Sequence, residues 1–178
     1  MSSKCYDYLA HIGEILKKVK TTQWDSIEKS AKKIAETIAA GHSVYIFGAS
    51  HAGILAQEMF YRTGGLAVVN AILPSEFMLN TRPVTQTSAM ERLEGYPTVI
   101  LNNSDVEKGD MLLLHSVSGR NTAAIEMAIK ASEMGIYTTA ITNMEYSTQV
   151  TSRHSSRKKL YEVCDVVIDN CGDYEDSS

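Results

Sequence analysis

Apolar residues recur at three- and four-residue steps in two successive stretches near the start of the chain. The first is Leu9, Ile12, Leu16 and Val19; the second is Trp24, Ile27, Ala31, Ile34 and Ile38. Such spacing gathers apolar side chains on one helical face, so two amphipathic helices are predicted. Thr21 or Thr22 reads as the cap of the second, and Gly41 as its stop. Beyond Gly41 the period changes, and short apolar runs alternate with further helical spacing. Strands are predicted over 43–47, 66–70, 111–115, 136–142 and 166–169. Helices are predicted over 51–63 and 123–134, with a helical turn through Leu160 and Val163. Strands separated by helical segments imply right-handed crossovers and a mostly parallel sheet. The expected architecture is α/β: a five-stranded doubly wound sheet preceded by N-terminal helices.

Residues 73–109 fit this scheme less cleanly. Phe77-Met78-Leu79 begins one helical pattern, Arg82-Pro83 interrupts it, and Met90, Leu93 and Tyr96 suggest another. A segment of this length between strands reads as a functional insertion or a partner surface. There is no internal repeat, and the acidic end Asp173-Tyr174-Glu175-Asp176-Ser177-Ser178 is expected to be loose. The 178 residues are expected to form a single domain: a helical segment at 1–41, an α/β core at 42–172 and a tail at 173–178.

Composition narrows the function classes. A hydrophobic share of 44% with 21% charged residues is ordinary for a soluble globular chain. The net charge of −4 argues against broad nucleic-acid binding, which rests on a basic patch. No apolar run approaches the ~20 residues that span a bilayer, so no membrane partner is expected. The first residues carry no apolar signal core, and Cys5, Cys164 and Cys171 lack paired spacing, which fits reduced cytosolic thiols. A cytoplasmic location is therefore expected. No cysteine–histidine cluster has ligand spacing, so neither a metal nor another cofactor is expected.

Candidate chemistry gathers in loops that follow strands. The apolar run Leu112-Leu113-Leu114 leads into His115-Ser116-Val117-Ser118-Gly119-Arg120-Asn121-Thr122, and a helix begins at once. Helix starts present unpaired N–H groups and about half a positive charge, so this turn suits a phosphate or another compact anion. Ser116, Ser118, Asn121 and Thr122 add side-chain hydrogen bonds, and Gly119 permits close backbone approach. Plain helix capping by Ser118 is the alternative. A second loop, Gly48-Ala49-Ser50-His51-Ala52-Gly53, places His51 at a helix start, where the dipole favours the neutral ring. Glu58 follows two turns later, as a candidate general base or as the surface partner of Arg62 four residues on. A third loop runs from Asn143 through Thr151-Ser152-Arg153-His154-Ser155-Ser156. His154 sits there beside Arg153, Arg157, Lys158 and Lys159, a solvated basic turn or an attraction for an anionic substrate.

These loops resemble the SIS (sugar isomerase) domain, in which a Ser-x-Ser-Gly turn binds phosphosugars. The similarity extends to Phe47-Gly48, to the run Glu58-Met59-Phe60-Tyr61-Arg62-Thr63-Gly64-Gly65-Leu66, to Glu91-Arg92-Leu93-Glu94-Gly95-Tyr96 and to Ser118-Gly119-Arg120-Asn121. It is most specific from Val150-Thr151-Ser152-Arg153-His154-Ser155-Ser156 through Leu160-Tyr161-Glu162-Val163 to Asp165-Val166-Val167-Ile168-Asp169-Asn170-Cys171-Gly172. Together these resemble a bacterial branch of uncharacterised phosphosugar-isomerase-like proteins, across nearly the whole chain. The branch pattern differs at Gly53, where it carries a histidine, at Val117, where it carries Asn, and at Arg157, where it carries Gly.

The resemblance implies a flavodoxin-like SIS fold and a bound phosphosugar. It implies a homodimer or larger homo-oligomer with the site near a subunit interface. Ser116, Ser118 and Asn121 would hold phosphate with Gly119, Arg120 and Thr122 beside them; Gly48, Ser50 and His51 would line the opposite wall. The expected activity is aldose–ketose isomerisation of a sugar phosphate or amino-sugar phosphate, with Glu58 as base and His154 or His51 as proton shuttle. The other readings are a non-catalytic phosphosugar sensor, or another SIS-type lyase or deglycase. Relatives in the branch continue past the Cys171-Gly172 point with a part that supplies a catalytic group in several SIS enzymes; the earlier end and the altered first loop here imply either a sensor or a fragment of a longer chain.

Overall fold

In the computed structural model, which describes residues 3–176, five strands form one parallel sheet in the order β2-β1-β3-β4-β5. They are β1 (Val44–Gly48), β2 (Val69–Ile72), β3 (Met111–His115), β4 (Tyr137–Thr142) and β5 (Val166–Asp169). Two helices, α1 (Ser3–Thr22) and α2 (Trp24–Ala39), precede the sheet. Five more interleave with it: α3 (Gly53–Met59), α4 (Gln86–Met90), α5 (Tyr96–Asn102), α6 (Thr122–Glu133) and α7 (Met144–Gln149). The α/β class, the five parallel strands and the N-terminal helices are as the sequence predicts. No helix among the described residues is long and apolar enough to cross a membrane.

The period-two alternation of strand side chains explains why the runs are apolar throughout. Tyr45, Phe47, Leu112 and Leu114 pack on one face with Leu101 of α5 and with Ile125, Met127 and Ala128 of α6. Val44, Ile46, Met111 and Leu113 pack on the other face with Ala56 of α3 and Ile34 and Ile38 of α2. Strands covered on both faces have no solvent side on which to place polar residues. Val44 pairs with both Val69 and Met111, and Gly48 pairs with His115, so β1 and β3 end level with each other.

Several boundaries differ from the pattern. Thr21 and Thr22 do not cap α2; both lie inside α1, where the Thr22 hydroxyl donates to the Lys18 carbonyl at 2.8 Å. The cap position is Gln23. Helix α3 is shorter than the predicted 51–63, because residues 50–52 form a 3₁₀ turn first and Phe60 is already extended (φ −97°, ψ 136°). Strand β2 starts three residues later than predicted, after the glycine turn at 64–65. Helix α7 was hidden by its six-residue length; its cap is Asn143, whose side chain accepts from the Tyr146 N–H at 2.9 Å.

The tail is not loose as far as it is described. His11 of α1 meets Asp173 at 2.6 Å, Asn143 donates to the Gly172 and Asp173 carbonyls at 2.8 Å, and Tyr174 packs edge-on against Tyr146. Ser177 and Ser178, like Met1 and Ser2, lie outside the described residues.

The segment between β2 and β3 is pinned by one side chain. Glu126 of α6, buried, accepts from the Gly95 N–H at 2.8 Å, the Thr98 N–H at 3.2 Å and the Thr98 hydroxyl at 2.5 Å. It thereby satisfies N–H groups at the start of α5 that the helix itself cannot.

Candidate functional site

The strand order reverses between β1 and β3, and in open parallel sheets the crevice at such a point is where ligands sit. The loop after β1 is tightly folded. A Cβ on Gly48 would stand 2.4 Å from the Ala52 carbonyl oxygen, so the chain reverses there only because residue 48 has no side chain. Ser50 is held in the left-handed region at φ 58°, where a non-glycine residue costs about 1 kcal/mol or more. His115, at the end of β3, contacts the Ala52 carbonyl at 3.0 Å through Nδ1 and ties the two loops together.

The loop after β3 is fastened from the other side. Val117 O accepts from the Asn143 N–H at 2.9 Å, Gly119 O from the Leu160 N–H at 2.9 Å and Arg120 O from the Arg153 N–H at 2.9 Å. The structure thus lays the segment that follows β4 and α7 along the loop that follows β3. Gly119 (φ 58°) is where the two layers come closest: a Cβ there would lie 2.7 Å from Ser147 Oγ.

Within this loop the polar side chains divide into two groups. Arg120, Asn121 and Thr122 are engaged with the protein. The Arg120 Nε–H donates to the Thr151 carbonyl at 3.0 Å, and the Thr122 hydroxyl donates to the Arg153 carbonyl at 3.1 Å. The Asn121 amide donates to Glu91 at 2.6 Å while its oxygen accepts from Arg153 at 2.7 Å. Ser116 and Ser118, by contrast, spend neither hydroxyl on a hydrogen bond among the described residues, and the same is true of Ser50. Ser118 does not cap α6; the cap position is Asn121, without a side-chain cap bond. The anchored residues form a wall, and the uncommitted hydroxyls stand beside the start of a 12-residue helix.

Charge at the mouth is mixed. Arg153 stands near Arg120 and Arg92, and burial together with these like charges makes its guanidinium easier to deprotonate than usual. Glu91, at the end of α4, is pushed up by burial, an effect opposed by Arg153, Arg92 and His51. Glu94 is held below the ordinary carboxylate range by the hydroxyl and N–H of Ser155, the latter donating at 2.6 Å. His154 meets Ser156 Oγ at 2.7 Å through Nδ1, on the rim formed by the same loop.

Glu91 is the residue that pattern reading misses. It lies in the insertion between β2 and β3, where periodicity is poor, and only the resemblance of the 91–96 run touches it.

Of the predicted residues, the fold brings Gly48, Ser50, His51, Ser116, Ser118, Gly119, Arg120, Asn121, Thr122 and His154 to one edge of the sheet. Glu58 is elsewhere in this chain. It lies near the far end of α3, exposed and ion-paired with Arg62, in a depression that also includes Val69 at the start of β2. Val69 is level with Val44, at the opposite edge of the sheet from the mouth.

A family model described as "SIS domain" matches residues 7–143. The chain belongs to the SIS-domain family. This SIS domain is 50% identical over 171 residues to the UPF0309 protein OB3413 of Oceanobacillus iheyensis, covering 96% of this chain and 70% of that one. It is 47% identical over 171 residues to UPF0309 protein ABC0887 of Shouchella clausii, with the same coverage. Among solved structures, phosphoheptose isomerase GmhA from Neisseria gonorrhoeae superposes with a TM-score of 0.68 at 14% identity, over 94% of this chain and 84% of that one. A phosphoheptose isomerase from Francisella tularensis gives 0.68 at 16% identity, over 98% and 89%. At these identities the likeness is one of fold.

Proposed function

We propose that this SIS protein binds a phosphosugar at the crevice between β1 and β3 and isomerises it between aldose and ketose forms. The observation that carries the reading is the pair of uncommitted hydroxyls, Ser116 and Ser118, at the α6 N-terminus in a chain of the SIS family. The phosphate would take these hydroxyls and the hydroxyl of Ser50. Arg120, Asn121 and Thr122 would hold the cradle rather than the ligand. His51 and His154 flank the mouth as candidates for moving a proton between the two sugar oxygens.

The base is the harder part to supply. Glu58 would reach a mouth only from a neighbouring copy, and the surface around it supports that arrangement. Phe60, Leu66 and Val68 are exposed, Tyr61 is 93% exposed, and a depression of about 590 Å³ lies among Phe60, Tyr61, Arg62 and Leu66. An apolar patch of this kind suits a second copy of the chain. The reading therefore includes a homo-oligomer in which Glu58 completes the partner's site. The pairing of Glu58 with Arg62 favours the runner-up, a module that binds phosphosugars without turning them over.

Binding is tested by calorimetry against a panel of hexose, heptose and amino-sugar phosphates, with turnover followed on each ligand that binds. Two lost charge-assisted hydrogen bonds, each worth about 1.5–3 kcal/mol, should weaken binding at least 100-fold in a double variant with Ser116→Ala and Ser118→Ala. Unchanged affinity in that variant would remove the cradle from the proposal. Turnover abolished by Glu58→Gln with affinity retained supports the isomerase; tight binding with no product on any ligand supports the sensor.

A further inference from the structure

Glu91 places a carboxyl group against the cradle from a part of the chain that pattern reading leaves unassigned. Its Oε2 accepts from the Asn121 amide at 2.6 Å, and its main-chain oxygen accepts from the Ala123 N–H at 3.0 Å, in the first turn of α6. A half-buried acid therefore sits at the end of the helix that the phosphate is proposed to approach.

We infer that Glu91 couples anion binding at the mouth to uptake of one proton, acting as a positioning residue that keeps Asn121 in place in either charge state. This rests on the anion-cradle reading of Ser116 and Ser118. The carboxylate and an incoming dianion would lie against the same helix start and the same cations, Arg153 and Arg92, so each disfavours the other. Protonation removes the conflict: the proton comes from solvent and resides on the carboxyl oxygens, and no bond in the ligand changes. Asn121 can then hold the neutral acid by its remaining N–H contact. Binding and protonation reinforce one another because linkage is reciprocal.

The charged and titratable groups around Glu91 come from every neighbouring element. Arg92 follows it in sequence, and Glu94 lies three residues on, engaged by Ser155. His51 faces it from the loop after β1, and Arg153 from the loop after β4, with His154 next in that chain and Arg120 behind Arg153. The cations oppose protonation of the acid. Burial acts in the other direction and is the larger effect, so Glu91 starts above the ordinary carboxylate range even without an anion.

The test uses inorganic sulfate, a dianion with no proton of its own between pH 5 and 8, and glucose 6-phosphate. Calorimetry in two buffers of different ionisation enthalpy counts the protons taken up. The wild-type protein should bind sulfate with proton uptake and with affinity rising on acidification, at most about tenfold per pH unit. Glu91→Gln keeps the hydrogen bond to Asn121 and should bind sulfate with neither uptake nor that pH dependence. Uptake that survives in Glu91→Gln and vanishes in His51→Asn or His154→Asn overturns the inference, and so does pH-independent binding in the wild type. Both of those results leave the cradle standing. Failure of sulfate, glucose 6-phosphate and the phosphosugar panel all to bind sinks the cradle and the inference together. Carboxyl ¹³C shifts of glutamate-labelled wild-type protein, with and without sulfate, give the same answer should the variant not fold: an upward shift of the Glu91 midpoint supports the coupling, and an unmoved midpoint refutes it.

Discussion

The two helices that leave the reversal point of the sheet are furnished in opposite ways. In α6, eight of 12 residues are buried, and its first turn is tied by side chains to the segments around Glu91 and Arg153. In α3, two of seven residues are buried, Gly53 and Ala56, and the chain beyond it exposes Phe60, Tyr61 and Leu66. One half of the crevice is thus organised within the chain, before any ligand arrives. The other half ends in apolar surface. Preorganised donors cost nothing to reorder when an anion binds. An uncovered apolar flank gains most when another surface covers it. Under the proposed function, recognition would fall on the α6 side and assembly on the α3 side.

Truncating the buried foundation of α6 should break the contrast most severely. Ile125 is fully buried between α6 and the sheet, and Ile125→Ala should cost about 2–5 kcal/mol in denaturant unfolding. A smaller loss is expected from Gly119→Ala. The left-handed backbone there costs about 1–2 kcal/mol for a residue with a Cβ, and the added carbon presses on Ser147 Oγ. That variant should also lose sulfate affinity, because Leu160 and Arg153 can no longer fasten the loop on both sides. The smallest effect on folding is expected on the α3 flank. Tyr61→Ser combined with Leu66→Ser should change monomer stability by no more than about 0.5 kcal/mol. Light scattering should nevertheless show a smaller species than the wild type. An unchanged mass would argue that this flank is not the assembly surface.

The sequence made the sheet legible because burial on both faces leaves a simple signature. Strands β3 and β5 were predicted to the residue, and α6 to within one. Where packing is lighter, the pattern misled. The spacing of Ile54, Leu55, Met59 and Phe60 reads as a long helix, yet Ile54 and Phe60 are exposed and the helix stops at Met59. The hydroxyl-rich turn was legible as a loop after β3 leading into α6, but the division of labour among its side chains was not. Asn121 and Thr122 look the same in sequence as Ser116 and Ser118; only the approach of Glu91 and Arg153, both distant in sequence, commits the former pair to the wall. Glu58 shows the complementary difficulty. Helical spacing points it along the same face as His51, whereas the 3₁₀ turn at 50–52 and the short α3 carry it toward the opposite sheet edge.

The contacts of Glu126 have a mechanical corollary. Three donors from residues 95 and 98 converge on that carboxylate, so the start of α5 is riveted to the middle of α6. The stretch bearing the acid at position 91 ends four residues before this joint. Displacing α6 would drag Glu91 along, because its carboxyl and main-chain oxygens are also bonded to Asn121 and Ala123 at the start of that helix.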